Sequence, residues 1–232
     1  MTPAKKAAKA SRKRTPRRRS LRPEKRAAIL SIVEQLATHD PDPKCALDHA
    51  NAFELLAATI LSAQCTDARV NMVTPELFSR WPTPAELGAA EQVEVEDVIH
   101  STGFFRNKAK NLIGMAQRLE QVHDGEVPTD MDALLMLPGV ARKTANVVRG
   151  ECFGLADGVV VDTHVKRIAA RLGFTRATDP VKVERDLMDV VPKDHWIKFS
   201  HRLIGLGRTV CAARKTRCDE CHLVSDCPKV GV

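Results

Sequence analysis

The segment Leu137-Pro138-Gly139-Val140-Ala141-Arg142-Lys143-Thr144-Ala145-Asn146 lies between two helical stretches. Pro138 cannot continue a helix and Gly139 supplies a sharp turn, so the first helix must end here. A second helix opens near Ala141. Its first backbone N–H groups have no partner inside the helix and face outward, an arrangement that suits a phosphate oxygen. The same residues equally suit an αα-hairpin that only packs two helices together, and spacing alone does not choose between the two.

Outward from this hairpin the chain keeps reading as helix. Ile29, Ile32, Val33 and Leu36 fall at i, i+3, i+4 and i+7, one stripe of a helix over residues 24–37. Residues 53–63, FELLAATILSA, are apolar almost all round, which marks a helix buried on most sides. Pro75, Pro82 and Pro84 punctuate a run of shorter helices, and residues 106–122 form a further helix ending near His123-Asp124-Gly125. Thr129 with Asp132 resembles a capping box before MDALLML. Only Val159-Val160-Val161 looks strand-like. Tyrosine is absent and aromatics make up 4% of the chain, which argues against a barrel or sandwich. The expected fold is all-α, with about ten helices and no internal repeat.

Charge is unevenly placed. The 232 residues carry 36 basic and 29 acidic side chains, a formal net charge of +7. Ten of the basic groups lie in residues 1–23, which hold no acid. The rest therefore has 26 basic against 29 acidic groups, a net of −3. A like-charged block with Ala, Pro and Ser cannot bury a core and is expected to be a disordered tail. It reads as a nucleic-acid arm, with an organelle transit peptide or a solubility tail as the other readings. No apolar run reaches the roughly 18 residues that span a bilayer, so no membrane role is expected.

Cys211, Cys218, Cys221 and Cys227 form C-x6-C-x2-C-x5-C. Four thiols this close, in a chain that opens without the apolar stretch of a secretory signal, suggest a shared ion or cluster and not a disulfide framework. Zinc is the generic competitor, although its sites favour paired Cys-x2-Cys knuckles. Cys45, Cys65 and Cys152 are left over and read as buried, inert thiols.

LPGVARKTANVV at 137–148, VVVDTHVKR at 159–167 and the cysteine run that follows resemble the helix–hairpin–helix DNA glycosylases, specifically the endonuclease III family. The likeness spans about residues 25–228. It implies two helical subdomains with a cleft between them: a six-helix block over 45–155 carrying the hairpin, and a second unit joining 24–44 to 156–232. By resemblance Lys143 is the catalytic nucleophile and Asp162 the essential carboxylate. An amine at a helix start feels a positive potential that favours its neutral form. It can then attack deoxyribose C1′, and a carboxylate beside C1′ can stabilise the developing charge. Asp162 can also cap the helix begun by Thr163-His164-Val165, where His164 reads as structural.

The resemblance further implies that the four cysteines hold a [4Fe–4S] cluster. Their loop would present Arg214, Lys215 and Arg217 to DNA phosphates, and Gly139, Ala141 and Arg142 of the hairpin would contact DNA. A glycosylase must extrude its target nucleotide. Gln64, in LSAQCTD, matches the side chain that fills the vacated space, and Phe104, in TGFFRNKA, matches the apolar wedge. One departure stands out. Ala141 occupies a position usually held by glycine, where a methyl group restricts positive φ and approaches the DNA backbone.

The implied function is base-excision repair: a monomeric bifunctional DNA glycosylase and AP lyase that removes oxidised pyrimidines from double-stranded DNA. It would act in a bacterial cytoplasm at the nucleoid, or in a eukaryotic nucleus or mitochondrion. Two alternatives are an inactive damage-sensing paralogue, favoured only by Ala141, and a monofunctional or mismatch-specific glycosylase.

Overall fold

The computed structural model describes residues 22–232; the expected basic tail falls almost wholly outside them. Among the described residues there are eleven α-helices, three short 3-10 turns and no strand. The helices are α1 Pro23–His39, α2 Ala52–Leu61, α3 Asp67–Arg80, α4 Pro84–Gly88, α5 Gln92–Ile99 and α6 Phe105–His123. They continue with α7 Met131–Leu135, α8 Arg142–Phe153, α9 Thr163–Arg171, α10 Pro180–Met188 and α11 Trp196–Arg208.

Local chemistry sets most helix starts. Asn51, Thr66, Thr83, Asp130, Asp162 and Asp179 each accept a backbone N–H from the first turn of the helix that follows. The reciprocal capping box lies at Thr83 and Glu86, not at Thr129. Ahead of α7 the cap is Asp130, whose carboxylate accepts from the N–H of Ala133 at 2.9 Å. Pro75 does not end a helix but sits inside α3. It is on the exposed side, and the burial of Val70, Val73 and Leu77 on the opposite side outweighs one lost backbone bond. Val159-Val160-Val161 forms no strand, and Val159 is buried in the second apolar cluster described below.

The buried apolar side chains fall into two clusters. One runs from Leu47 to Val148 and centres on α2, whose Leu55, Leu56, Ala57, Ala58 and Leu61 are wholly buried. Full burial of each such leucine contributes about 1.5–3 kcal/mol. The other joins Ile29, Ile32, Val33 and Leu36 of α1 to residues Val159–Leu223. The stripe expected for α1 is thus the face it buries, packed on α11. The Arg202 guanidinium, itself buried, donates to the carbonyl of Asp40 at 2.7 Å and fastens the end of α1 to α11.

Candidate active-site cleft and cysteine loop

A cleft opens where the two clusters meet. Its walls include Lys143, Asn146 and Gly150 of α8, Thr59 of α2 and Asp67 of α3 on one side. Gly158, Val160, Asp162, His201 and Arg208 line the other. The lysine and the carboxylate singled out from sequence therefore face one space. Lys143 is the second residue of α8 and is exposed. Asp162 is the N-cap of α9: one carboxylate oxygen accepts the N–H of Val165 at 2.7 Å. That bond fixes the side-chain rotamer and leaves the other oxygen free of this duty.

The turn that presents Lys143 depends on its glycine. Gly139 has φ +77°, and a Cβ there would stand 2.9 Å from Cβ of Asn111. Ala141, the N-cap of α8, has φ −98° and ψ 166°, an extended backbone open to any residue. The methyl group thus costs no backbone strain, contrary to the concern raised by its departure from glycine. No side chain caps α8, so the N–H groups of its first turn stay available beside Arg142.

Sequence inspection missed several groups in this cleft. Arg208, at the end of α11, forms an ion pair with Asp67, at the start of α3, across the cleft. His201 and Glu151 pair at 3.1 Å. Asn146 is buried one turn after Lys143, and its Oδ1 has no hydrogen-bond partner among the described residues. Each pairing joins residues 50 to 141 positions apart, beyond any local pattern. Burial pushes the Cys45 thiol up to about 11, and the Cys152 thiol is raised by the same cause, which suits the inert role expected for both.

Gln64 and Phe104 lie in two exposed turns outside the cleft. Both adopt the left-handed conformation, at φ 55° and 51°, and Phe104 is 66% exposed. Non-glycine residues in this region cost backbone energy, and an exposed phenylalanine gains no burial in return. His164 lies where α9 meets α11, with its Nδ1 3.3 Å from the Arg167 guanidinium, consistent with a packing role.

Cys211, Cys218, Cys221 and Cys227 line one small apolar pocket next to Ile168, Leu172 and Leu206. The Arg171 guanidinium donates to Sγ of Cys211 at 3.3 Å and the Lys229 N–H to Sγ of Cys227 at 3.4 Å. Burial raises the Cys221 and Cys227 thiols above their ordinary value. Among the described residues, no three His, Cys, Asp or Glu side chains converge tightly enough to hold a single metal ion. The four cysteines share this pocket, which supplies N–H donors to two of the sulfur atoms. Arg214 and Lys215 are exposed in the loop between the first two cysteines. Arg217 is engaged, donating to the carbonyl of Thr209 at 3.0 Å and pairing with Glu220 at 2.9 Å.

An all-helical chain with a hairpin, an exposed lysine and a helix-capping aspartate across one cleft defines a class of protein. Residues 57–193 match the family model for the HhH-GPD superfamily of base excision DNA repair proteins, and the chain belongs to that superfamily. Within it, the chain is similar to endonuclease III. It is 55% identical over 200 residues to the endonuclease III of Synechocystis, covering 86% of this chain and 90% of that protein. To the Bacillus subtilis endonuclease III it is 48% identical over 196 residues, covering 84% and 89%. A solved structure of a trapped endonuclease III–DNA covalent intermediate aligns with a TM-score of 0.81 at 44% identity, covering 88% of this chain and 96% of that one.

Proposed function

We propose that this chain is a DNA glycosylase and AP lyase of base-excision repair, acting as a monomer on oxidised pyrimidines in double-stranded DNA. The observation that carries the reading is the placement of Lys143 and Asp162 on one cleft. The Lys143 amine attacks C1′ of the extruded nucleotide: an Nζ–C1′ bond forms as the glycosidic bond from C1′ to the base breaks, and the base departs with that electron pair and takes up a proton. Loss of an amine proton and opening of the sugar leave an iminium, which acidifies C2′–H. Removal of that proton expels the 3′ phosphate by β-elimination. Asp162 stabilises positive charge at C1′ and relays protons from the amine.

Phosphates are held by the uncapped start of α8 at Gly139, Ala141 and Arg142, and by Arg214 and Lys215. Arg217 serves through the loop, being already engaged by Glu220. Gln64 fills the space left by the extruded nucleotide and Phe104 wedges between bases. The four cysteines hold a [4Fe–4S] cluster, which when bound cross-links the loop that carries the two free cations. Chain segments 45–155 and 24–44 plus 156–232 are the two subdomains, as the division of the buried side chains supports.

Borohydride trapping on abasic-site duplex DNA tests the reaction. Wild type should form a covalent adduct and Lys143→Ala none; an undiminished adduct in the variant refutes the assignment. Iron and sulfide analysis tests the cofactor: about four of each per chain is expected from the cluster type, and a colourless zinc protein overturns it.

A further inference from the structure

Lys108, on the first turn of α6, is only 4% exposed, against the rule that lysines end in water. Its Nζ donates to the carbonyl of Leu61 at 2.8 Å and to the carbonyl of Thr102 at 2.9 Å. No carboxylate sits among the groups that perturb it in the described residues, and burial lowers its proton affinity. The partners its Nζ finds are the two backbone carbonyls. Leu61 ends α2, and Thr102 ends the 3-10 turn His100–Thr102. Carbonyls at helix ends carry partial negative charge and lack intrahelical partners.

These two carbonyls stand at the roots of the two exposed turns. Gln64 follows Leu61 by three residues and Phe104 follows Thr102 by two. Both are the left-handed, non-glycine residues described above. Just beyond Phe104, the Phe105 ring packs on His100 at 4.4 Å, so that turn is anchored on both sides of its exposed phenylalanine. Segments 47 and 6 residues from Lys108 in sequence meet on a single nitrogen.

We propose that Lys108 is a positioning residue that fixes the separation of the Gln64 and Phe104 turns, so that both side chains enter the duplex together around one extruded nucleotide. The proposal rests on the plug-and-wedge reading of those two side chains. A displacement of about 1 Å in a positioning group can cost on the order of a hundredfold in rate. Releasing the two carbonyls should therefore be felt where the enzyme has to open a base pair, and not where the nucleotide is already unpaired.

The test compares base release under single-turnover conditions from two DNAs carrying the same oxidised pyrimidine. In one the lesion is paired in a duplex; in the other it lies in an unpaired loop. Lys108→Met should lose about tenfold to a hundredfold on the paired substrate and little on the loop. Lys108→Arg, which keeps cationic donors, should recover part of the loss. In a Gln64→Ala, Phe104→Ala background, Lys108→Met should have no further effect on the paired substrate. Equal losses on both substrates, or an unchanged rate on the paired one, overturn the proposal. If Gln64→Ala and Phe104→Ala are themselves without effect on paired DNA, the plug-and-wedge reading fails first and takes the proposal with it. Should Lys108→Met fail to fold, Lys108→Gln provides the same comparison with a polar donor and no charge.

Discussion

Asp162 holds two duties that substitution can separate. Its carboxylate accepts the N–H of Val165 at 2.7 Å, and the same residue lines the cleft with Lys143. Asp162→Asn keeps a side-chain oxygen for the cap and loses the charge; Asp162→Ala loses both. Removing a cap costs about 1 kcal/mol, which for a domain of this size lowers Tm by roughly 2–4 °C. Asn retains the cap, and the lost attraction between carboxylate and helix start is worth about 0.3–1 kcal/mol. Catalysis should not follow this order, because both variants remove the charge proposed to stabilise C1′. A loss of about 10²–10⁴-fold is expected of a group that moves protons or stabilises charge. Thermal melts followed by circular dichroism, with single-turnover strand cleavage on abasic DNA, measure the two effects separately. An Asp162→Asn protein that cleaves at the wild-type rate would refute the catalytic role. An Asp162→Ala protein that melts with Asp162→Asn would show that the capping bond does not contribute.

Gly139→Ala forces a methyl group toward Asn111 at a positive φ and should destabilise the protein by about 1–2 kcal/mol or more, whereas Ala141→Gly should stay within about 1 kcal/mol of wild type. Chemical denaturation checks both, and a Gly139→Ala protein as stable as wild type would overturn the argument. Burial, partly offset by the positive charge of Arg142, raises Glu184 above its ordinary value of 4.5. The unfolded chain then ionises first, so this residue costs stability increasingly as pH rises from 4.5 toward its folded value. Glu184→Gln should therefore match wild type in acid and exceed it at neutral pH in denaturant midpoints; a gap that shrinks as pH rises would contradict the sign. Deleting residues 1–23 should flatten the dependence of DNA affinity on salt, by about 0.9 in slope for each phosphate no longer neutralised. An unchanged slope would leave the segment without a role in binding.

What the sequence disclosed and what it hid differ in range. Ile29, Ile32, Val33 and Leu36 share one helix face whatever the fold, and Leu55 to Leu61 are apolar enough to demand burial. Asp162 announced itself as a cap because capping is settled within three residues. The slip from Asp130 to Thr129 came from two capping residues standing side by side. Lys108 gave no signal. Between Arg106 and Lys110 it reads as one more surface cation, and its acceptors are backbone carbonyls, one of them 47 positions away. The Asp67–Arg208 pair was hidden for the same reason, across 141 positions. The conformation of Ala141 lay in its backbone angles, which residue identity alone leaves open.

The apolar stripe of α1 ends at Leu36, and its partners begin at Val159, more than 120 residues later. During synthesis α1 is made early, yet it has nothing to lie against until most of the polypeptide exists. At about 5–20 residues per second, that wait lasts roughly 6–25 seconds. Through it, the face carrying Ile29, Ile32, Val33 and Leu36 lacks its partners, while the segment around α2 already holds its own. The first helix among the described residues is thus among the last to find its place, and residues around the cysteine loop complete the half of the molecule that α1 began.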